Sequence, residues 1–107
     1  MTLKDSTISD NTAASGAGIF NILDSETLND TNVTGNTAAY QAGGINNNAG
    51  TTTLNDSTVT NNTAESGQAG YYGGGVYNSS GTVLLNHSNV THNTPNDCDP
   101  AGVVAGC

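Results

Sequence analysis

A twelve-residue phrase written four times constrains this chain more than any other feature. It reads TLKDSTISDNTA at 2–13, TLNDTNVTGNTA at 27–38, TLNDSTVTNNTA at 53–64 and, more loosely, LLNHSNVTHNTP at 84–95. Self-similarity at a fixed period is the signature of a stacked repeat, in which no unit can bury its apolar face alone. An apolar fraction of 34% with a net charge of −8 would by itself suggest disorder. Charged residues are only 9% of the chain and Pro occurs twice, so the ordered repeat of Thr, Asn, Ser and Gly is the stronger signal.

Four columns align inside the phrase without gaps. They are Leu3/Leu28/Leu54/Leu85, then Asp5/Asp30/Asp56/His87, then Ile8/Val33/Val59/Val90, then Asn11/Asn36/Asn62/Asn93. A shorter block follows as GIFN, GINN and GVYN, with columns Gly18/Gly44/Gly75, Ile19/Ile45/Val76 and Asn21/Asn47/Asn78. The leucines are 25, 26 and 31 residues apart, and all of the variation falls between the first Asn and the second. One turn therefore accepts insertions while the rest of the repeat is geometrically fixed.

Thr, Asn, Ser and Val disfavour helix, and STVT-like segments alternate polar with apolar, which is strand periodicity. Short strands and turns with a period near 25 predict an all-β parallel solenoid of about four coils. The coils would be about 2–26, 27–52, 53–83 and 84–107, forming a single domain. Consecutive coils stack at roughly 4.8 Å, so each column becomes a physical stack. A few inward aliphatics per coil then suffice. Asn11, Asn36, Asn62 and Asn93 are expected to bond one another as a ladder. The glycines of the second block fit a corner where a side chain would clash or φ must be positive.

These residues resemble a known family. VTGN then GGIN, and VTNN then GGGVYN, are similar to the repeats of right-handed parallel β-helix proteins of the pectin-lyase-like superfold, including bacterial surface proteins of the polymorphic outer-membrane kind. That family alternates a GG-aliphatic motif with an aromatic-x-x-Asn motif. Gly43-Gly44-Ile45 and Gly74-Gly75-Val76 match the first, and Ala17-Gly18-Ile19 is a degenerate copy. The second falls on Ile8–Asn11, Val33–Asn36, Val59–Asn62 and Val90–Asn93, with an aliphatic in place of Phe. The resemblance covers residues 2 to about 95 and implies a right-handed helix. It implies fold rather than activity, because the superfold carries enzymes, adhesins and spacers alike.

The chemistry open to such a chain is narrow. There is no Arg, and Lys4 is the sole basic residue besides two His, so nucleic acid and anionic membrane surfaces are poor partners. No apolar run reaches transmembrane length. A lyase of the superfold would need a basic residue that only Lys4 could supply. A hydrolase would need paired carboxylates, and Asp5, Asp30 and Asp56 would stack at about 5 Å between neighbours. The reading favoured here is that this Asp column caps a turn by accepting backbone N–H bonds. The same three Asp, helped by Asn29, Asn55 and Asn86, are a candidate calcium set, since a cation relieves their repulsion. No other cofactor is implied. His87 and His92 replace residues of exposed columns and have no third ligand. Thr-x-Thr faces, complete only at Thr58 and Thr60, raise ice binding as an alternative.

The variable turn is longest at TAESGQAGYYGGG, 63–75, where Glu65, Tyr71 and Tyr72 form a candidate recognition loop for a carbohydrate or protein ligand. The rings could equally cover the solenoid wall. Cys98 and Cys107 bracket the tail and are expected to form a disulfide that pins a C-terminal cap. Such a short loop contributes about 2–3 kcal/mol in the chain-entropy model and belongs in an oxidising compartment. The repeat begins directly after Met1, without a signal peptide, so the export signal is expected elsewhere in a parent chain. The first coil is expected to leave strand edges open to self-association. The functional expectation is a non-catalytic structural or adhesive module, extracellular or on a cell surface. The alternatives are a carbohydrate-active remnant and an ice-binding or calcium-stabilised solenoid.

Overall fold

In the computed structural model, residues 1–65 and 73–107 are described. Thirteen strands and no helix occur among them. The first coil holds β1 (Thr2–Lys4), β2 (Thr7–Ser9), β3 (Thr12–Ser15) and β4 (Ile19–Ile22). The chain continues through β5 (Ser25–Asn29), β6 (Asn32–Thr34), β7 (Thr37–Gln41) and the long β8 (Ile45–Asn55). Then come β9 (Thr58–Thr60), β10 (Thr63–Ala64), β11 (Val76–Asn86), β12 (Asn89–Thr91) and β13 (Cys98–Asp99). Each strand pairs in parallel with its equivalent in a neighbouring coil. The three sheets are β1-β5-β8-β11-β13 with β4 also on β8, then β10-β7-β3, then β12-β9-β6-β2. The molecule is a parallel β-solenoid of about four coils.

The register is that of the repeat. Leu3, Leu28, Leu54 and Leu85 stand over one another, as do Ile8, Val33, Val59 and Val90. Leu28, Leu54, Val33 and Val59 are completely buried. A further column, Ala13/Ala38/Ala64, is buried at Ala38 and Ala64 and exposed at Ala13 in the end coil; alanine's single methyl gives little apolar contrast against the polar run around it. The variable turn lies between β10 and β11 in the third coil, where the insertion is longest.

Corners are made by residues with left-handed backbone. Asp5, Asp30, Asp56 and His87 share φ between 47° and 49°, and Asp10, Gly35, Asn61 and His92 form a second such column. Asp and Asn tolerate this conformation better than most residues. The glycines of the second block answer to crowding instead. A Cβ on Gly18 would come within 2.6 Å of the Gly44 carbonyl oxygen and 2.9 Å of Val33 Cγ1.

The inner amides form two ladders. Asn11 Nδ2 donates to Asn36 Oδ1, Asn36 to Asn62 and Asn62 to Asn93, each at 3.0 Å. The backbone N–H of Asn11, Asn36 and Asn62 donates to the same oxygens at 2.9–3.1 Å. The ladder ends on Asp97, whose Oδ1 accepts both Asn93 N and Nδ2. A second ladder runs from Asn21 through Asn47 to Asn78 at 2.9 Å per step.

The C-terminal end is closed by a disulfide between Cys98 and Cys107. Cys98 sits in register with Val76, so its sulfur continues the Ile19/Ile45/Val76 column, and Val104 is buried in the same core. Converting both cysteines to Ser should lower the unfolding free energy by about 2–3 kcal/mol. A denaturant melt of the double variant, alongside the oxidised parent, checks this.

Candidate functional site

The Asp column was the strongest candidate for chemistry, and its geometry is that of a corner. Asp5, Asp30 and Asp56 are exposed, and their carboxylates accept no backbone N–H among the described residues. The expected capping role therefore belongs to the next residue. The hydroxyls of Ser6, Thr31, Ser57 and Ser88 donate to the carbonyls of Lys4, Asn29, Asn55 and Asn86 at 2.7–2.9 Å. Those of Ser57 and Ser88 also accept the backbone N–H of Thr31 and Ser57, each at 3.0 Å. Asp serves this column through its backbone, since a positive φ turns its side chain outward.

The amides offered as extra calcium ligands are engaged with each other. Asn55 Nδ2 donates to Asn29 Oδ1 and Asn86 Nδ2 to Asn55 Oδ1, both at 2.8 Å, so this outer ladder runs opposite to the inner ones. No group of three or more His, Cys, Asp or Glu placed to hold a metal occurs among the described residues. His87 and His92 occupy left-handed corners in the fourth coil. His87 Nδ1 lies 3.8 Å from Asp56 Oδ1 at an exposed position, where an ion pair contributes little.

Glu65 is exposed at the mouth of the variable turn, and its backbone N–H bonds the Ala38 carbonyl at 2.8 Å. Tyr71 and Tyr72 lie outside the described residues. On the face built by β2, β6, β9 and β12, the Thr58 hydroxyl donates to Asn32 Oδ1 at 2.6 Å, tying two coils together. No helix among the described residues is long and apolar enough to cross a membrane.

No family model, curated protein or solved structure matches this chain.

One buried ionisable group escaped the sequence reading. Glu26 on β5 is only 7% exposed, and its Oε2 is fully enclosed without a hydrogen-bond partner among the described residues. Burial is the main cause pushing its carboxyl above the ordinary glutamate range; the nearby Met1 ammonium opposes this and Asp24 adds to it. The signal was present in the sequence as an acid at the register position of Thr52 and Val83. A single acid that breaks a column carries no repeat signal of its own.

Proposed function

We propose that this chain is a non-catalytic structural or adhesive module, a right-handed β-helix of the pectin-lyase-like kind carried by an exported or cell-surface protein. One observation supports this reading above others. The inner asparagine side chains are committed to holding coil on coil, Asn36 and Asn62 through both their amide nitrogen and their oxygen, which leaves Glu26 as the one buried carboxyl among the described residues and gives it no second buried acid to form a catalytic pair. The exposed surface left over is short hydroxyls, amides and carboxylates in rows. The disulfide accords with an oxidising, extracytoplasmic setting.

A second copy of the chain is its proposed partner. β1, β2 and β3 each end their sheet, and their outward edges pair with no strand among the described residues. Unpaired parallel edges recruit other chains. At the opposite end β13 covers β11 and Asp97 ends the first ladder, while β12 ends its own sheet. Association through the first coil is expected to give dimers or larger species. Size-exclusion with light scattering across a wide protein concentration range tests this, and a monomer throughout overturns the self-association. Cleavage of any member of an acidic polysaccharide panel would overturn the non-catalytic reading independently.

A further inference from the structure

The second inner ladder has an unmatched step at its head. In the second coil the step is complete: Asn47 Oδ1 accepts Asn21 Nδ2 at 2.9 Å and also the Thr52 hydroxyl at 3.2 Å. Thr52 stands five residues after Asn47, and its hydroxyl in turn accepts from Asn21 Nδ2 at 3.2 Å. One coil earlier the register puts Asn21 in place of Asn47 and Glu26 in place of Thr52. The spacing of five is the same. Asn21 is buried, and its Oδ1 accepts no hydrogen bond among the described residues. Glu26 contributes the matching defect, a buried carboxyl oxygen without a partner.

We propose that Glu26, in its protonated form, donates a hydrogen bond to Asn21 Oδ1, completing the head of this ladder and making the first two coils an acid-strengthened element. A carboxylate is an acceptor only, so the ionised form sets two acceptors against each other at a buried position; a carboxylic acid is a donor and joins them. The proton moves from solvent to a Glu26 oxygen and no other bond changes.

The surroundings favour the neutral acid. β4 and β8, which pack beside this position, carry no ionisable residue. β1 contributes Lys4, which is in register with Asn29 rather than with Glu26, and the Met1 ammonium bonds the Ser25 carbonyl at 2.8 Å. Asp24 adds negative charge next to it. A group whose folded pKa lies above its unfolded value contributes stability below the unfolded value and loses it as pH rises through the folded one. The strengthening is thus present below the ordinary glutamate value of 4.5 and fades above it, through the range in which the folded carboxyl ionises.

The test compares Glu26→Gln with Glu26→Val. Gln keeps a neutral donor at all pH, whereas Val, the residue type at this register position in Val83, is neutral but has no donor. At pH 7 the Gln variant should melt about 4–8 °C above both the parent and the Val variant. At pH 4 the parent should rise to meet the Gln variant. Equal melting of Gln and Val variants at pH 7 overturns the proposal, because relief of a buried charge alone would raise both alike. On the unaltered chain, a side-chain carboxyl ¹³C titration keeps the question open to test even if a variant fails to fold. A Glu26 midpoint above that of ordinary glutamate supports the proposal, and an ordinary midpoint refutes it.

Discussion

Replacing Asn62 with Ala should lower the unfolding free energy by about 4–6 kcal/mol, the range reserved for broken buried networks. Asn62 is 1% exposed and forms the middle rung of the first ladder. Its Oδ1 accepts Asn36 N and Nδ2, and its Nδ2 donates to Val33 O and Asn93 Oδ1, all at 3.0 Å. Alanine removes all four bonds and strands the buried Asn36 N–H and the second lone pair of the Val33 carbonyl, while Asn93 Oδ1 keeps the backbone N–H of residue 62 and Asn36 Nδ2 keeps Ile8 O. Each stranded group costs about 1–3 kcal/mol. A domain of this size is stable by only about 5–15 kcal/mol, so most of the margin disappears. Asn86→Ala provides the contrast. Asn86 is exposed and loses a single bond to Asn55, so its expected change is below about 1 kcal/mol. Urea melts of the two variants check the pair, and similar values would show that the ladder is not what holds the coils.

Gly44→Ala is expected to destabilise by about 3 kcal/mol, at the upper end of overpacking costs. The added methyl would meet the Gly75 carbonyl oxygen, and would lie 2.7 Å from Val59 Cγ1 and 3.1 Å from Asn62 Nδ2. None of these can yield cheaply. The coil spacing is set by the backbone bonds Gly44 N to Gly74 O, 3.0 Å, and Ile45 N to Gly75 O, 2.8 Å. Val59 is completely buried, and Asn62 is the rung just described. Gly102→Ala isolates the other cost a glycine can carry. Its Cβ would meet nothing within 4 Å, but its φ is +82°, so only backbone strain of about 1–2 kcal/mol is expected. Thermal melts of the two variants should differ in that order. A neutral Gly44→Ala would mean that the coils can part at this corner.

The columns were legible because a solenoid converts equal spacing into contact. Once the Leu-to-Asn and Asn-to-Leu distances were seen to be constant, the stacking of Leu28 on Leu54 and of Asn36 on Asn62 followed, and the observed register agrees. The direction of a side chain at a corner was not legible. Asp5, Asp30 and Asp56 form as regular a column as the asparagines, yet a positive φ turns them out to solvent, and the bonding falls to Ser6, Thr31 and Ser57. Repetition reports that a position has a recurring need, without saying whether backbone or side chain meets it.

Residues that break the repeat were the least readable. Asp97 ends the first ladder from the register position that Gly18, Gly44 and Gly75 hold in the earlier coils, and Glu26 interrupts an inward position that Thr52 and Val83 hold elsewhere. By itself the amino-acid order determined the class of fold, the vertical register and the one corner that takes insertions, because a fixed period leaves a stacked chain only one way to bury its few aliphatics. Tertiary structure alone decided how each ladder runs and ends and which acid is buried. Those depend on how donors and acceptors are matched between coils 25 to 31 residues apart, and no local pattern encodes that pairing.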